Sequence, residues 1–575
     1  MQWKKTGAVL CGALLTVPLI AACHSDADRD TSFSDAASSA AVPADVNEDI
    51  QPTIHISFAA DQSEKTIGNL LSDMMVWSFH GDLTSAVLDQ SPTYFRDQLP
   101  FVENIQFLCA TGGNAQRDLF QNPHDRSTLT DYKFDDLLLA CENLLNQGVK
   151  PMIKLGNVPL KFCVKPNMDT DMGVNISPPD DYDAYYAYLR AAVAALAKKF
   201  GTEELHTWKW GVYNEFDNMD WFLAGSPEET TQAFIRLYDL SVAAVEDVLG
   251  VGQADIGLHA LMNRPGYSDY KTVLRHCATG TNTRTGRQGT TIKHLSFSYY
   301  ITVKGSGYPY GWAVGMAREM RQSLDEVGLT DVRLGMDEGK VFDGFDGLQA
   351  DGRVLGRSYQ GPLDFSLFKE CLESDIQWSC MWGYSTGGMW DGLPIVSRHT
   401  ADLFYKMVGS HYLSSKVAGS SPTGGQFVDA IAGIDWDKNK LYIALYNFTP
   451  DGEHPTGSDP VEIRISGLNG LDGQKRVIKT LLDDNHGNFF DDWLRDVEAS
   501  GIDTGGSSWS LDGPFLDWTF RDRPQLLPLF VKNRASYAEK AALHPEEYTV
   551  DVEESTLSIR VRLVRSGVAF FEVDL

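Results

Sequence analysis

Between residues 66 and 408 the chain alternates, eight times over, between a short apolar run and a stretch of helical periodicity. The strand-like runs end near Phe79, Thr111, Val158, Glu215, Met262, Ile301, Glu338 and Gly383. Among the intervening segments, residues 182–200 place Tyr185, Leu189, Val193, Leu196 and Phe200 on one stripe, with Gly201 as the stop. Ser226-Pro227-Glu228-Glu229 supplies a cap, a first-turn proline and a capping-box glutamate for a helix reaching about Leu249, before Gly250. A further helix is expected from about Tyr310 to Val327, closed by Gly328. Strands separated by helices of this length are parallel βα units, and eight of them predict an α/β fold, a (β/α)8 TIM barrel over residues 66–408.

After about residue 410 short alternating strands and turn residues take over, clearest in Leu441–Tyr446 and Ser558–Leu563. Residues 409–575 are therefore expected to form a C-terminal β-sandwich domain, with helical periodicity confined to Tyr537–Leu543. The alternating run Ile54–Phe58, within 53–65, reads as a strand joining that sandwich. Asp435–Lys440 has some features of a calcium loop, but it lacks glycine at the sixth position and has Tyr446 at the twelfth, so a hairpin turn is expected.

The formal net charge of −29 argues against nucleic acid as a partner, because a phosphate backbone requires a basic face. At the N-terminus, Lys4 and Lys5 precede an apolar run from Ala8 to Ile20 that is short for a membrane span. It leads into Ile20-Ala21-Ala22-Cys23, which resembles the lipobox of bacterial lipoproteins. That resemblance implies a signal peptide over 1–23, a lipid on Cys23 and membrane attachment in the bacterial cell envelope, at the outer membrane. Asp26, Asp28 and Asp30 resemble surface-export signals, which leaves the periplasmic and outer faces both open. Residues 24–52, rich in Ser, Ala and Asp, read as a flexible tether. Six cysteines remain: Cys109, Cys141, Cys163, Cys277, Cys371 and Cys380. Cys109 and Cys380 sit in apolar runs and read as buried thiols; the spacing of the six fixes no pairing and fits no metal site.

Counting strands, Glu215 closes the fourth and Glu338 the seventh, on opposite sides of an eight-strand barrel. Barrels of this kind keep their chemistry at that rim. Two facing carboxyl groups suit glycoside hydrolysis, one protonating the leaving oxygen and the other attacking the sugar carbon. No cofactor or metal is required. The predicted partner is a carbohydrate.

A glutamate after asparagine on strand four, with a second glutamate on strand seven, resembles the large clan of retaining (β/α)8 glycosidases. Lys154-Leu-Gly-Asn-Val-Pro159 at the third strand is similar to a segment of glycoside hydrolase family 39, the β-xylosidase and α-L-iduronidase group. The resemblance implies that Glu215 is the acid/base and Glu338 the nucleophile. It further implies that Asn214 holds the sugar 2-hydroxyl and that Trp382 forms an aromatic floor. Tyr299 or Tyr300 would hold Glu338, and Asn157, Gly112, Gly113 and Arg117 would stand at the rim. The chain departs from the family pattern at Gln106–Cys109, at Phe216 and in Asp337-Glu338-Gly339. The leading expectation is a xylosidase-like retaining hydrolase of extracellular oligo- or polysaccharides. The alternatives are a same-clan glycosidase of different specificity and a surface glycan-binding lipoprotein without catalysis.

Overall fold

The computed structural model describes residues 50–76, 94–302, 310–343, 357–380, 389–449, 456–502 and 524–575, apart from positions 64, 171, 391, 423 and 424. The lipobox with Cys23, the tether up to residue 49 and Trp382 lie outside the described residues. Among the described residues no helix is long and apolar enough to cross a membrane.

Eight parallel strands follow one another in chain order around a barrel: β2 (Asp73–Val76), β3 (Asn104–Phe107), β4 (Lys150–Leu155), β5 (Lys209–Val212), β6 (Asp255–Leu261), β7 (His294–Thr302), β8 (Arg333–Asp343) and β9 (Ile376–Ser379). The Ser379 N–H donates to the Leu70 carbonyl just before β2, at 2.7 Å, which brings the last strand back to the first. The outer helices begin and end where the sequence says. Helix Tyr182–Phe200 buries Tyr185, Leu189, Val193 and Leu196 and ends at Gly201, whose φ of 87° is open to glycine. Helix Pro227–Leu249 starts on a complete capping box, Ser226 with Glu229. A third covers Trp312–Asp325.

One strand runs further than expected. Glu338 does not end β8, which continues to Asp343 because β7 continues beside it, pairing Ser298 with Glu338 and Thr302 with Asp343. Glu215, in contrast, lies three residues beyond the end of β5.

The remaining strands include β10 (Met389–Trp390) and β11 (Leu393–Pro394), a small hairpin. The β-domain contains β1 (Ile54–Ala59), β12 (His411–Leu413), β13 (Lys416–Ala418), β14 (Phe427–Asp435), β15 (Lys440–Phe448), β16 (Ser458–Ser466), β17 (Gly473–Leu482), β18 (Glu546–Glu553), β19 (Thr556–Val564) and β20 (Val568–Asp574). These form one continuous sheet of ten strands. It curls over itself so that β1 meets β14 and β15 meets β19 across a shared apolar core. β1 lies parallel to β16 and antiparallel to β13. Residues 436–439 are the hairpin turn between β14 and β15, with Asn439 at φ 53°.

Helix Gln360–Leu372 is buried along its whole length because the barrel lies on one side and β14 and β15 on the other. Two of its charged side chains meet partners: Lys369 pairs with Asp429, and Asp364 accepts from Gln360 and Thr400, each at 2.6 Å. Two helices inserted between β17 and β18, Phe490–Ser500 and Leu527–Ala541, were largely unforeseen. Their apolar face is narrow, and it closes only when Trp493 meets Phe530 and Tyr537 in the third dimension.

Candidate active site

The barrel interior is unusually polar. Branched apolar side chains normally fill it, yet here Asp73, Gln106, Lys154, His259, His294, Ser296 and Asp337 are all buried. Glycines make the room. A Cβ on Gly211 would stand 2.5 Å from the His259 ring and 3.1 Å from Lys154 Cγ, and one on Gly335 would stand 2.0 Å from the Trp378 ring. Each of these side chains meets at least one partner, as the cost of burying it demands, although Gln106 Oε1 has none among the described residues. Lys209 Nζ lies 2.9 Å from both oxygens of Asp73. Gln106 Nε2 donates to Asp73 at 2.9 Å and to Asp337 at 2.8 Å.

Asp337 is the hub of this interior. It accepts from Gln106 Nε2 and Trp378 Nε1, both at 2.8 Å, from His259 Nδ1 at 2.6 Å, and from the Ser296 hydroxyl. Burial alone would raise its pKa, but the His259 hydrogen bond and the other donors outweigh burial and hold it well below the usual carboxylate range. Burial pushes His259 down to about 3, so its ring is neutral at ordinary pH. Its Nδ1–H therefore serves Asp337, and its Nε2 faces His294 Nε2 at 2.8 Å.

At the C-terminal end of the barrel the backbone becomes irregular. Among the described residues, Tyr213, Glu215, Ala260 and Asn263 have φ between 43° and 63°, and all lie just after β5 or at the end of β6. Left-handed backbone at non-glycine positions is costly and tends to gather at working sites. The β6–β7 register slips between Leu258 and Leu261. The resulting turn aims the His259 carbonyl at the Glu215 N–H, 3.1 Å away, and the Ala260 carbonyl at Ser298 Oγ, 2.9 Å away. Asp217 ties the two loops together by accepting from the N–H groups of Met262 and Asn263 at 3.2 and 2.8 Å.

This irregular end brings the two glutamates into one group. Glu338 Oε1 accepts from Asn214 Nδ2 at 2.8 Å, and Asn214 Oδ1 in turn accepts from Lys154 Nζ at 3.1 Å. Glu215 Oε2 accepts from Asn218 Nδ2 at 2.9 Å, and its Oε1 lies 2.7 Å from Ser298 Oγ. Both glutamates are buried, with 4% and 5% exposure. Burial, then the charge of Glu338, raises the Glu215 pKa well above its ordinary value. Proton accounting agrees. Ser298 has one hydroxyl hydrogen and two neighbouring oxygens, Glu215 Oε1 and the Ala260 carbonyl. A protonated Glu215 that donates to Ser298 leaves the Ser298 hydrogen for Ala260, whereas an ionised Glu215 has to share that hydrogen with the Ala260 carbonyl.

The other expected site residues are distributed differently. Tyr299 sits on the helix side of β7, its ring stacked on Trp312 at 4.6 Å, on the face opposite Ser298. The Tyr300 side chain lies outside what is described. Asn157 is buried, with its amide donating to the carbonyls of Asn175 and Trp221 at 3.2 and 2.9 Å. Gly112 and Gly113 are buried, at φ 150° and 113°, packed close to Asn157. All six body cysteines are free and buried. No group of residues able to hold a metal ion occurs among the described residues.

Lys154, Asn218, Ser298, His259 and the hub role of Asp337 were missed in the sequence. A signal was present for some: in His294-Leu-Ser296-Phe-Ser298 every second residue is polar, the period of a strand's inward face.

The barrel, the curled β-domain and this paired-carboxylate rim can be compared with known proteins. Residues 98–327 match the family model for glycosyl hydrolases family 39. The match takes in Asn214 and Glu215 and stops before β8, so it does not reach Glu338. A β-xylosidase of Caldicellulosiruptor saccharolyticus is 27% identical over 153 residues, covering 27% of this chain and 30% of that protein. The aligned stretch is thus under a third of that relative's length. A monomeric β-xylosidase from Caulobacter crescentus superposes with a TM-score of 0.65 at 14% identity, covering 90% of this chain and 99% of the other. A bacterial orthologue of human α-L-iduronidase gives 0.63 at 13% identity, covering 91% and 84%. At such identities the structural likeness speaks for the fold: a family 39-like TIM barrel with its β-domain.

Proposed function

We propose that the chain is a retaining glycoside hydrolase of the family 39 type, acting on xyloside-like oligo- or polysaccharides outside the cytoplasm by double displacement. The observation that carries this reading is the unequal surroundings of two neighbouring carboxyl groups. Burial and the charge of Glu338 raise the Glu215 pKa, which suits an acid, and Glu338 receives a donor from Asn214, which suits a carboxylate. Environments that separate the protonation of two carboxyl groups assign acid and nucleophile.

In the first half-reaction a Glu338 oxygen attacks the anomeric carbon. The bond to the leaving oxygen breaks as Glu215 delivers its proton, and a glycosyl ester forms on Glu338. In the second, Glu215, now ionised, takes a proton from water. The water oxygen attacks the same carbon and Glu338 leaves as carboxylate. Asn214 has a second amide hydrogen beyond the one on Glu338, and that hydrogen serves the sugar 2-hydroxyl.

Since the acid must be protonated, activity falls as pH rises through the raised Glu215 value. Replacing Glu215 with glutamine should remove that alkaline limb. It should slow cleavage of an alkyl xyloside by about 10²–10⁴-fold, the usual worth of general acid catalysis. Formation of the glycosyl-enzyme from a dinitrophenyl xyloside, whose leaving group needs no proton, should change little. Equal losses on both substrates would remove Glu215 from the acid role.

The lipobox-like run supports attachment of the protein to the bacterial envelope through a lipid on Cys23. In a bacterial host, Cys23→Ala should move the protein from the membrane pellet to the soluble fraction and abolish incorporation of labelled palmitate. Continued labelling of the variant would overturn the anchor.

A further inference from the structure

Lys154 is a fully buried cation on β4, and its place in the barrel is prepared by the missing side chain of Gly211 on the next strand. Its Nζ lies 3.1 Å from Asn214 Oδ1, and Asn214 Nδ2 lies 2.8 Å from Glu338 Oε1. An ammonium has donors and no acceptor, so it can face the Asn214 amide only through the oxygen. The amide nitrogen is then turned to Glu338. We propose that Lys154 is a positioning residue for Glu338: it locks the Asn214 amide with its N–H toward the nucleophile and supplies the positive charge that lets a second carboxylate ionise beside Asp337. The proposal rests on the assignment of Glu338 as nucleophile.

Several charged and titratable groups face this part of the barrel; besides Lys154 they include the cations Arg117, beside Cys109, and Lys209, paired with Asp73. Cys109 after β3 and Cys380 after β9 are neutral thiols, raised by burial. His259 on β6 is neutral, pushed down to about 3. Burial and the charge of Glu338 make Glu215 after β5 hold its proton more tightly than a free carboxyl. Asp337 on β8 is a carboxylate, and Asp337, Glu338 and Lys154 all act on the Cys380 thiol, so they share one neighbourhood in which like charges oppose each other's ionisation. Lys154 is one of the groups that lower Asp337. It is buried in the same interior and reaches Glu338 through one amide.

The test compares Lys154→Met, which keeps length and removes charge, with Lys154→Arg, which keeps charge. Lys154→Gln stands in if the methionine variant does not fold. With aryl xylosides, Lys154→Met should lower kcat/KM about 10²-fold, as misplacement of a reacting group does. The acidic limb of its pH profile should move up by about one unit or more. Lys154→Arg should keep that limb in place. A second readout does not need turnover: in protein labelled with carboxyl-13C glutamate, the resonance lost in Glu338→Gln identifies Glu338, and its titration midpoint should rise in Lys154→Met. An unshifted acidic limb together with an unshifted midpoint would overturn the proposal. Absence of glycoside turnover in the wild type would count against the hydrolase reading, and the titration would still decide the role of Lys154.

Discussion

Replacing Glu338 with glutamine should lower glycoside turnover by at least about 10⁴-fold, because without a carboxylate oxygen neither half of a double displacement can begin and only binding and the acid remain. The fold should survive. Glutamine matches glutamate in volume, and its carbonyl oxygen can accept the Asn214 N–H that Glu338 Oε1 accepts at 2.8 Å. Removing one of two crowded carboxyl groups also relieves repulsion between Glu338 and Glu215, the second cause of the raised Glu215 pKa. Glu215 in this variant should therefore titrate lower than in the wild type. Initial rates with an aryl xyloside, measured beside a melting curve, check both parts. Activity within tenfold of wild type would end the nucleophile assignment.

The largest effect on stability is expected one residue earlier. Asp337→Asn should destabilise the barrel by about 3–5 kcal/mol, the range for removing one partner from a buried charged group. Four donors converge on this carboxylate, from Gln106, Trp378, His259 and Ser296. An asparagine offers one acceptor oxygen and turns two of its own N–H groups toward donors. The barrel would then contain unpaired N–H groups on both sides of the contact. The sign of the pH dependence follows from the depressed Asp337 pKa. Its contribution is complete above the ordinary aspartate value of about 3.9 and is lost as pH falls through the lower folded value. The gap between wild type and Asp337→Asn should be constant at neutral pH and shrink below about pH 4. Denaturant unfolding followed by tryptophan fluorescence at two pH values measures it. A loss under about 1 kcal/mol would mean that the hub is dispensable.

Much of the barrel could be read in the chain because its signals are local. The stripe on Tyr182–Phe200 and the capping box at Ser226 depend on neighbours three and four residues apart, and both helices have the expected bounds. The strand count that assigned Glu215 and Glu338 to the fourth and seventh barrel strands also agrees with the order of the sheet. What could not be read depends on contacts between distant residues. The extension of β8 past Glu338 is decided by β7, and the pairing of helices Phe490–Ser500 and Leu527–Ala541 is decided by Trp493 against Phe530. The polar interior is the clearest case. Lys154, His259 and Asp337 each look like an odd charge in an apolar strand, and become a network only when Gly211 and Gly335 leave space for side chains from other strands. Tyr299 shows the limit of reading a strand end without its face: one residue from Ser298, it points to Trp312 instead.

The central claim is that Glu338 forms the bond to the sugar and Glu215 moves the proton. The most direct test is the product formed when azide is added to Glu338→Gly and a dinitrophenyl xyloside, read by proton NMR. Azide occupying the space of the missing carboxylate should restore turnover and give a glycosyl azide of inverted anomeric configuration. A glycosyl azide of retained configuration from this variant would mean that Glu338 is the acid/base, and the assignment of both glutamates would be wrong.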